Sequence, residues 1–185
     1  ELIRHDVTFP LYVEVDRIFN LACPASPIHY QKNPVQTLKT SLVGAVNLLG
    51  LAKRLNIKIL QASTSEIYGD PIYVPIDEKH PLNPRSPYAA AKASAEHLLL
   101  SYYHTYNLPV VLSRFFNIFG PRQGIDQVIP KFILQALNNK DLTIYGTGDQ
   151  TRDYTYVDDA VRAYLLLGVT PNIEGTTINF GTGVE

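Results

Sequence analysis

The sequence contains no methionine, no tryptophan and a single cysteine. One cysteine excludes a disulfide within the chain and indicates a reducing, cytoplasmic environment. Cys23 ends the apolar run 18–23, so we predict a small buried side chain there, with a reactive thiol as the alternative. Because a natural chain starts with methionine, we expect these 185 residues to be an internal piece of a larger protein.

Charge and hydropathy argue against several classes of partner. The formal net charge is −1, which gives nucleic acid or an anionic membrane no electrostatic reason to bind. No apolar run approaches the ~18 residues of a membrane span, and the N-terminus lacks the pattern of a secretory signal. We therefore expect a soluble, cytoplasmic protein. No metal site is predicted, because the histidines do not have the spacing of metal ligands. Surface positions are expected for His29, His80, His97 and His104.

Short apolar runs alternate with long amphipathic ones along the chain. Helices are predicted over residues 35–55, 87–106, 128–139 and 158–167. Strands are predicted over residues 17–23, 58–62, 109–113, 142–145, 151–156 and 176–180, with a strand and loop at 2–7. Loops are predicted over residues 66–86, which are rich in proline, and over residues 117–127, which are rich in glycine and proline. This alternation predicts a doubly wound α/β fold, with helices on both faces of a parallel sheet.

The most informative segment is Ser86-Pro87-Tyr88-Ala89-Ala90-Ala91-Lys92. Ser and Pro suit the first positions of a helix, and residues four apart then face the same way. An ammonium stabilises a phenolate, so a tyrosine that normally titrates near ~10 can act as a base closer to neutral pH. The spacing alone is common on helix surfaces, so it gains specificity only from a second segment.

That second segment is Ser63-Thr64-Ser65-Glu66, directly after the predicted strand 58–62. Its position is the carboxyl end of a strand, where doubly wound sheets bind their ligands. Small hydroxyls there can hydrogen-bond a substrate hydroxyl and share its proton with Tyr88. The alternatives are a Ser/Thr-rich turn that satisfies its own backbone and, for Glu66, a solvated loop charge.

Together these segments resemble the extended short-chain dehydrogenase/reductases that modify nucleotide sugars, and the resemblance covers essentially the whole chain. It implies a Rossmann-like doubly wound sheet without its first βαβ unit, NAD as cofactor and a nucleotide-diphosphate sugar as substrate. It also implies a homodimer through the helices at 35–55 and 87–106. Residues 1–116 would be a partial NAD-binding domain, and 117–185 sheet core mixed with part of a substrate-binding subdomain. Without the Gly-rich loop of the missing unit, this piece alone would be inactive.

Other segments distinguish branches of the family. The run Leu21-Ala22-Cys23-Pro24-Ala25-Ser26-Pro27 is nearly identical to that of the UDP-glucuronate decarboxylases. In dTDP-glucose 4,6-dehydratases the position of Ser65 is an aspartate, which protonates the leaving hydroxyl. Decarboxylases and GDP-mannose 4,6-dehydratases have a serine there, as this chain does. The Ser-Pro before Tyr88 is instead the form of dehydratases and epimerases. UDP-glucuronate decarboxylation is the specific prediction, with a 4,6-dehydratase, a 4-epimerase or a non-catalytic dinucleotide-binding sensor as alternatives.

The resemblance also implies residue roles. Tyr88 would take the proton of the sugar's 4-hydroxyl, while Lys92 would hold the nicotinamide ribose and lower the pKa of Tyr88. Ser41 stands where the family has an asparagine that relays protons. The implied catalytic residues are Thr64, Glu66, Tyr88 and Lys92. The implied cofactor contacts are Asp6, Val7, Leu21, Ala22, Ser63, Tyr88, Lys92 and Phe115, although Asp6 alone would indicate only a surface turn. From the segments 114–123 and 146–157, the implied substrate contacts are Ser65, Asn117, Lys131, Tyr145 and Arg152.

Overall fold

A computed structural model of the chain describes residues 1–184. The strands are β1 (Arg17–Asn20), β2 (Lys58–Thr64), β3 (Val110–Phe115), β4 (Asn117–Phe119), β5 (Tyr154–Tyr156) and β6 (Thr177–Phe180). The α-helices are α1 (Pro27–Lys32), α2 (Pro34–Leu55), α3 (Pro87–Tyr106), α4 (Val128–Leu137) and α5 (Val157–Val169). A 3₁₀ turn at Ser65–Tyr68 follows β2 directly.

The main sheet is parallel and has the strand order β1-β2-β3-β6. Successive residues of β2 point to opposite faces, as the strand geometry requires. Ile59 packs with residues of α2 and α3, whereas Leu60 packs with Tyr164 of α5. Helices therefore cover both faces, and the predicted doubly wound sheet is confirmed. Strands β4 and β5 form a separate parallel pair.

Capping residues fix the ends of the two long helices. Asn33 accepts from the Gln36 amide at the start of α2, and Ser86 accepts from the Ala89 amide at the start of α3. Helix α3 thus begins at Pro87, close to the carboxyl end of β2. None of the helices within residues 1–184 has the length and hydropathy needed to cross a bilayer.

Several predicted boundaries are wrong. Residues 142–145 form no strand, because among residues 1–184 no neighbouring strand pairs with them, and Ile144 and Tyr145 are exposed. Strand β4 lies inside the predicted loop 117–127, where Asn117 donates its backbone N–H to the carbonyl of Asp153. The predicted strand 17–23 ends at residue 20. Residues 2–7 form no strand, and helix α1 was not predicted. The division at residue 116 stays a prediction.

Candidate active site

A cavity of about 860 Å³ opens beside the carboxyl ends of β1, β2 and β3. This is the edge where ligands bind in doubly wound sheets. Several residues that the sequence singled out from distant segments lie in its wall. They are Leu21, Ser63, Thr64, Glu66, Tyr88, Lys92, Phe115, Asn117 and Arg152.

The centre of the cavity wall is formed by Tyr88 and Lys92, which lie four residues apart on the first turns of α3. Both are buried, at 6% and 4% exposure. Lys92 Nζ donates to the carbonyl of Ala62 at 2.9 Å and lies 5.9 Å from the centroid of the Tyr88 ring. The side chain of Thr64, at the end of β2, lies near Tyr88 and acts to lower its pKa. The structure therefore brings together the three side chains predicted from two separate segments.

Burial governs the ionisation of this pair. It raises the pKa of Tyr88, as do the nearby Cys23 and Glu66, and the side chain of Thr64 only partly opposes this shift. Burial also lowers the pKa of Lys92, against the attraction of Cys23 and Glu96. The direction for Tyr88 is opposite to the expected lowering, because desolvation of the phenolate outweighs the contacts that stabilise it.

Glu66 faces the cavity from the 3₁₀ turn after β2. Its side chain is open to the cavity, yet the surrounding protein removes enough water to raise the pKa of its carboxyl, while Arg152 acts in the opposite direction. Thr64 Oγ1 also accepts from the backbone N–H of Glu66 at 3.2 Å. The hydroxyl of Thr64 therefore both stabilises the local turn and lies near Tyr88.

The walls of the cavity fit a polar ligand. Ser63 Oγ is buried, lines the cavity and has no hydrogen-bond partner among residues 1–184. A buried hydroxyl without a partner costs roughly 1–3 kcal/mol, which a bound hydroxyl or amide would relieve. Within the same described residues, one of the three N–H groups of Lys92 donates to Ala62, which leaves two for a ligand such as a ribose.

Phe115 enters the wall at the end of β3, and Asn117 enters it at the start of β4. Phe115 stacks on Phe180 with ring centroids 5.5 Å apart, and this contact fixes its ring at the sheet edge. Asn117 also donates its side-chain N–H to the carbonyl of Asp153 at 3.4 Å. Both residues are thus placed by packing that joins β3, β5 and β6.

Other predicted site residues lie outside the cavity wall. Asp6 is an exposed turn residue that accepts from the Thr8 amide at 2.9 Å, and this hydrogen bond lowers the pKa of its carboxyl. The carbonyl of Val7 accepts from Asn47 of α2 at 2.8 Å. Those outside the wall are Asp6, Val7, Ala22, Ser65, Lys131 and Tyr145. Lys131 and Tyr145 instead hydrogen-bond each other at 2.8 Å.

Two predicted burial states are wrong. Cys23 is half-buried in the cavity wall, with Sγ 2.9 Å from Ser41 Oγ. It leaves the core because β1 already ends at Asn20, whose side chain accepts from the Ala22 amide. His80 is buried rather than on the surface, at 2% exposure, because its ring packs against Tyr68 and accepts a hydrogen bond from the backbone of Ile72.

Sequence reasoning missed Tyr30. It lies on α1, is buried, and stacks on Tyr88 with ring centroids 4.7 Å apart and planes 8° from parallel. The available signal was Ser26-Pro27, a serine followed by proline as at the start of α3. The 6 residues of α1 are too few to show the apolar periodicity that predicts longer helices.

Comparison with known proteins gives consistent matches. The chain matches the family described as GDP-mannose 4,6 dehydratase over residues 11–184. It is 48% identical over 174 residues to UDP-glucuronic acid decarboxylase 6 of Arabidopsis thaliana, an alignment that covers 90% of this chain and 51% of that protein. The chain thus spans about half the length of the curated relatives it matches.

Solved structures agree with the fold. The dTDP-glucose 4,6-dehydratase from Bacillus anthracis, in complex with NAD, is 36% identical with a TM-score of 0.81, covering 90% of this chain and 51% of that one. The UDP-glucuronic acid 4-epimerase from Bacillus cereus, in complex with UDP-glucuronic acid and NAD, is 35% identical with a TM-score of 0.83. That alignment covers 90% of this chain and 54% of that one.

Proposed function

Because the chain belongs to the GDP-mannose 4,6-dehydratase family of extended short-chain dehydrogenase/reductases, we propose that the protein oxidises C4 of a nucleotide-diphosphate sugar using NAD. The observation that carries this proposal is the grouping of Thr64, Tyr88 and Lys92 in one cavity wall. The dehydratase from Bacillus anthracis and the epimerase from Bacillus cereus were both solved in complex with NAD, and both are named for a nucleotide-sugar substrate.

In this proposal Tyr88 is the general base. Its phenolic oxygen takes the proton of the 4-hydroxyl, with Thr64 beside it. Because burial raises the pKa of Tyr88, this role requires positive charge next to the phenolate, which Lys92 and the nicotinamide of bound NAD would supply. Lys92 and Ser63 would bind the cofactor through two ammonium N–H groups and a hydroxyl that has no hydrogen-bond partner among residues 1–184. NAD, when bound, supplies the acceptor for the hydride that leaves C4.

The most specific form of the proposal is UDP-glucuronate decarboxylation. Its support is the identity of 48% with a UDP-glucuronic acid decarboxylase and the serine at position 65, where dTDP-glucose 4,6-dehydratases have an aspartate. A 4-keto group beta to a carboxylate loses carbon dioxide readily, so this reaction needs no acid for a leaving hydroxyl at that position. Arg152 in the wall would bind diphosphate oxygens, as its planar fork suits them. Asn117 is the second proposed diphosphate contact.

A 4-epimerase or a 4,6-dehydratase is the second candidate. The specific support is the Ser-Pro before Tyr88 and the likeness at 35% identity to a UDP-glucuronic acid 4-epimerase. All three reactions share the first oxidation and differ only in the fate of the 4-keto sugar. A non-catalytic sensor is less well supported, because Tyr88 and Lys92 are both present.

A homodimer is the proposed assembly. Helix α2 exposes a row of apolar side chains to solvent, and such a row suits a helix-to-helix interface. These residues are Val35, Leu38, Val43 and Val46. Sedimentation of the full-length protein tests this assembly, and a monomer would contradict it. The cytoplasmic location and the substrate contacts of Lys131 and Tyr145 stay predictions.

The test is a product assay with the full-length protein and NAD. Four substrates are offered separately: UDP-glucuronate, UDP-glucose, dTDP-glucose and GDP-mannose. The masses of the products are measured by mass spectrometry. Loss of carbon dioxide from UDP-glucuronate is the expected result. Loss of water would identify a dehydratase, and an unchanged mass with inverted C4 an epimerase. Turnover of none of them would contradict the proposal for these sugars.

A further inference from the structure

The hydroxyl of Ser26 makes a hydrogen bond that its position does not predict. Ser26 is the N-cap residue of α1, where a serine side chain normally accepts from an amide of the first turn. Here the side chain makes no such cap, and its hydroxyl instead donates to the carboxylate of Asp126, 100 residues away in the chain. A local rule is therefore broken in favour of a long-range contact.

The contact joins two segments that line the same cavity. Residues 25–28 enter its wall after β1, and residues 126–128 enter it before α4. Gly124 leaves room for the carboxylate, because a Cβ there would lie 2.5 Å from Asp126 Oδ1. Gln127 also donates to this carboxylate at 3.2 Å. Hydrogen bonds and space thus both place Asp126 opposite Ser26.

Helix α1 carries the effect of this contact to the centre of the site. It begins directly after Ser26, and four residues on it presents Tyr30, whose ring lies flat on Tyr88. The carbonyl of Tyr30 accepts from the hydroxyl of Thr37, which holds the other end of α1 on α2. Helix α1 is therefore held at its end by α2 and at its start by Asp126, and this holds the Tyr30 ring against Tyr88.

We propose that Ser26 and Asp126 are positioning residues, which form a latch across the cavity and hold Tyr30 against Tyr88 during C4 oxidation. This inference rests on the proposed function. Neither residue touches the reacting atoms. The hydrogen bond from Ser26 lowers the pKa of Asp126, helped by its own backbone, by Gln127 and by the charge of His29. The carboxylate is thus ionised at neutral pH and is a strong acceptor.

The test compares variants of the full-length protein with UDP-glucuronate and NAD. Ser26→Ala and Asp126→Ala should each lower kcat roughly tenfold, because a hydrogen bond to a charged group is lost. The double variant should be no slower than either single one, since both remove the same bond. Asp126→Asn keeps an acceptor oxygen and should recover most of the rate. NAD affinity should hardly change, and any fall in Tm should be the same in Ser26→Ala and Asp126→Ala, because both variants lose the same hydrogen bond.

Ser94→Ala is the matched control, since it removes an exposed hydroxyl that donates only within α3. If Ser26→Ala has the same kcat as Ser94→Ala, or if the two single effects add in the double variant, the latch is wrong. Hydrogen exchange over residues 27–32 gives a second readout that needs no turnover. It should rise equally in Ser26→Ala and Asp126→Ala. Unchanged exchange overturns the latch, whereas failure of the wild-type protein to turn over any sugar overturns only the proposed function.

Discussion

Arg114 of β3 and Glu96 of α3 form a buried ion pair beneath the candidate active site. Three hydrogen bonds of 2.6 to 3.2 Å join the guanidinium to the carboxylate, and both residues are at most 5% exposed. Glu96 lies four residues after Lys92 and eight after Tyr88, so it shares their face of α3. The pair therefore ties the helix that carries the proposed base to the central sheet.

Removing one partner of this pair should be costly. Glu96→Ala leaves the Arg114 guanidinium buried without its carboxylate, and we expect the free energy of unfolding to fall by ~3–5 kcal/mol. The control is Glu14→Ala, which breaks the exposed pair between Glu14 and Arg54 and should cost only ~0–1 kcal/mol. Urea unfolding of the full-length variants measures both. Similar losses in the two variants would contradict the structural role of the buried pair.

Tyr88→Phe tests the proposed base. The variant keeps the ring that stacks on Tyr30 but loses the hydroxyl, so turnover should fall at least ~100-fold while NAD affinity stays within a few fold. Calorimetric titration of NAD and a product assay measure the two quantities. Tyr12→Phe is the control, because this ring is 82% exposed. Wild-type turnover in Tyr88→Phe would remove Tyr88 from the role of base.

Gly69 tests the turn that carries Glu66. Its φ is +67°, and a Cβ there would lie 2.0 Å from the carbonyl oxygen of Asn83. Gly69→Ala should therefore destabilise the fold by ~1–3 kcal/mol from backbone strain alone. Gly50→Ala is the opposite case, because the added methyl in the middle of α2 would have no atom of residues 1–184 within 4 Å apart from its chain neighbours and the backbone of its own helix. That variant should gain ~0.5–1 kcal/mol if this face of α2 stays open. Gly50 shares the face of Val43 and Val46, so a loss of stability would instead indicate that the partner helix of the proposed dimer packs against it.

Asp153 should make stability depend on acid pH. Burial raises the pKa of its carboxyl, but hydrogen bonds from Thr182 and Gly183 together outweigh burial and leave the pKa below 3.8. The native carboxylate thus stabilises the fold above the unfolded pKa, and this contribution disappears as the pH falls through the lower native value. Asp153→Asn should cost roughly 1–3 kcal/mol at neutral pH, since an amide N–H then faces other donors.

The difference between wild type and Asp153→Asn should shrink as unfolding is measured at decreasing pH. A difference that stays constant down to about pH 3 would show that the carboxylate charge contributes nothing.

Periodicity and capping were enough to predict the main sheet and its long helices. Residues 34–55 have apolar spacing over many turns and an asparagine N-cap. Residues 87–106 lack a clear apolar stripe, and their helix was predicted from Ser86 as N-cap and Pro87 at the first position. The short elements could not be predicted in this way. Strand β4 has 3 residues and exists only because β5 pairs with it, and residues 142–145 have strand composition but no neighbouring strand among residues 1–184.

The same distinction holds for the site. Tyr88, Lys92 and Thr64 were found because their spacing carries a chemical reason that is visible in the sequence. Tyr30 and Asp126 were missed, because their contacts span long separations and depend on packing. The pKa direction of Tyr88 was also wrong, since local spacing does not reveal how deeply a side chain is buried.

The most direct test of C4 oxidation follows the hydride itself. The full-length protein with bound NAD is mixed with UDP-glucuronate that carries deuterium at C4, and the nicotinamide is analysed by mass spectrometry after rapid quenching. The account predicts reduced nicotinamide that contains the deuterium in wild type and none in Tyr88→Phe. Release of carbon dioxide, or formation of any modified sugar, without transfer of deuterium to the nicotinamide would contradict C4 oxidation by NAD.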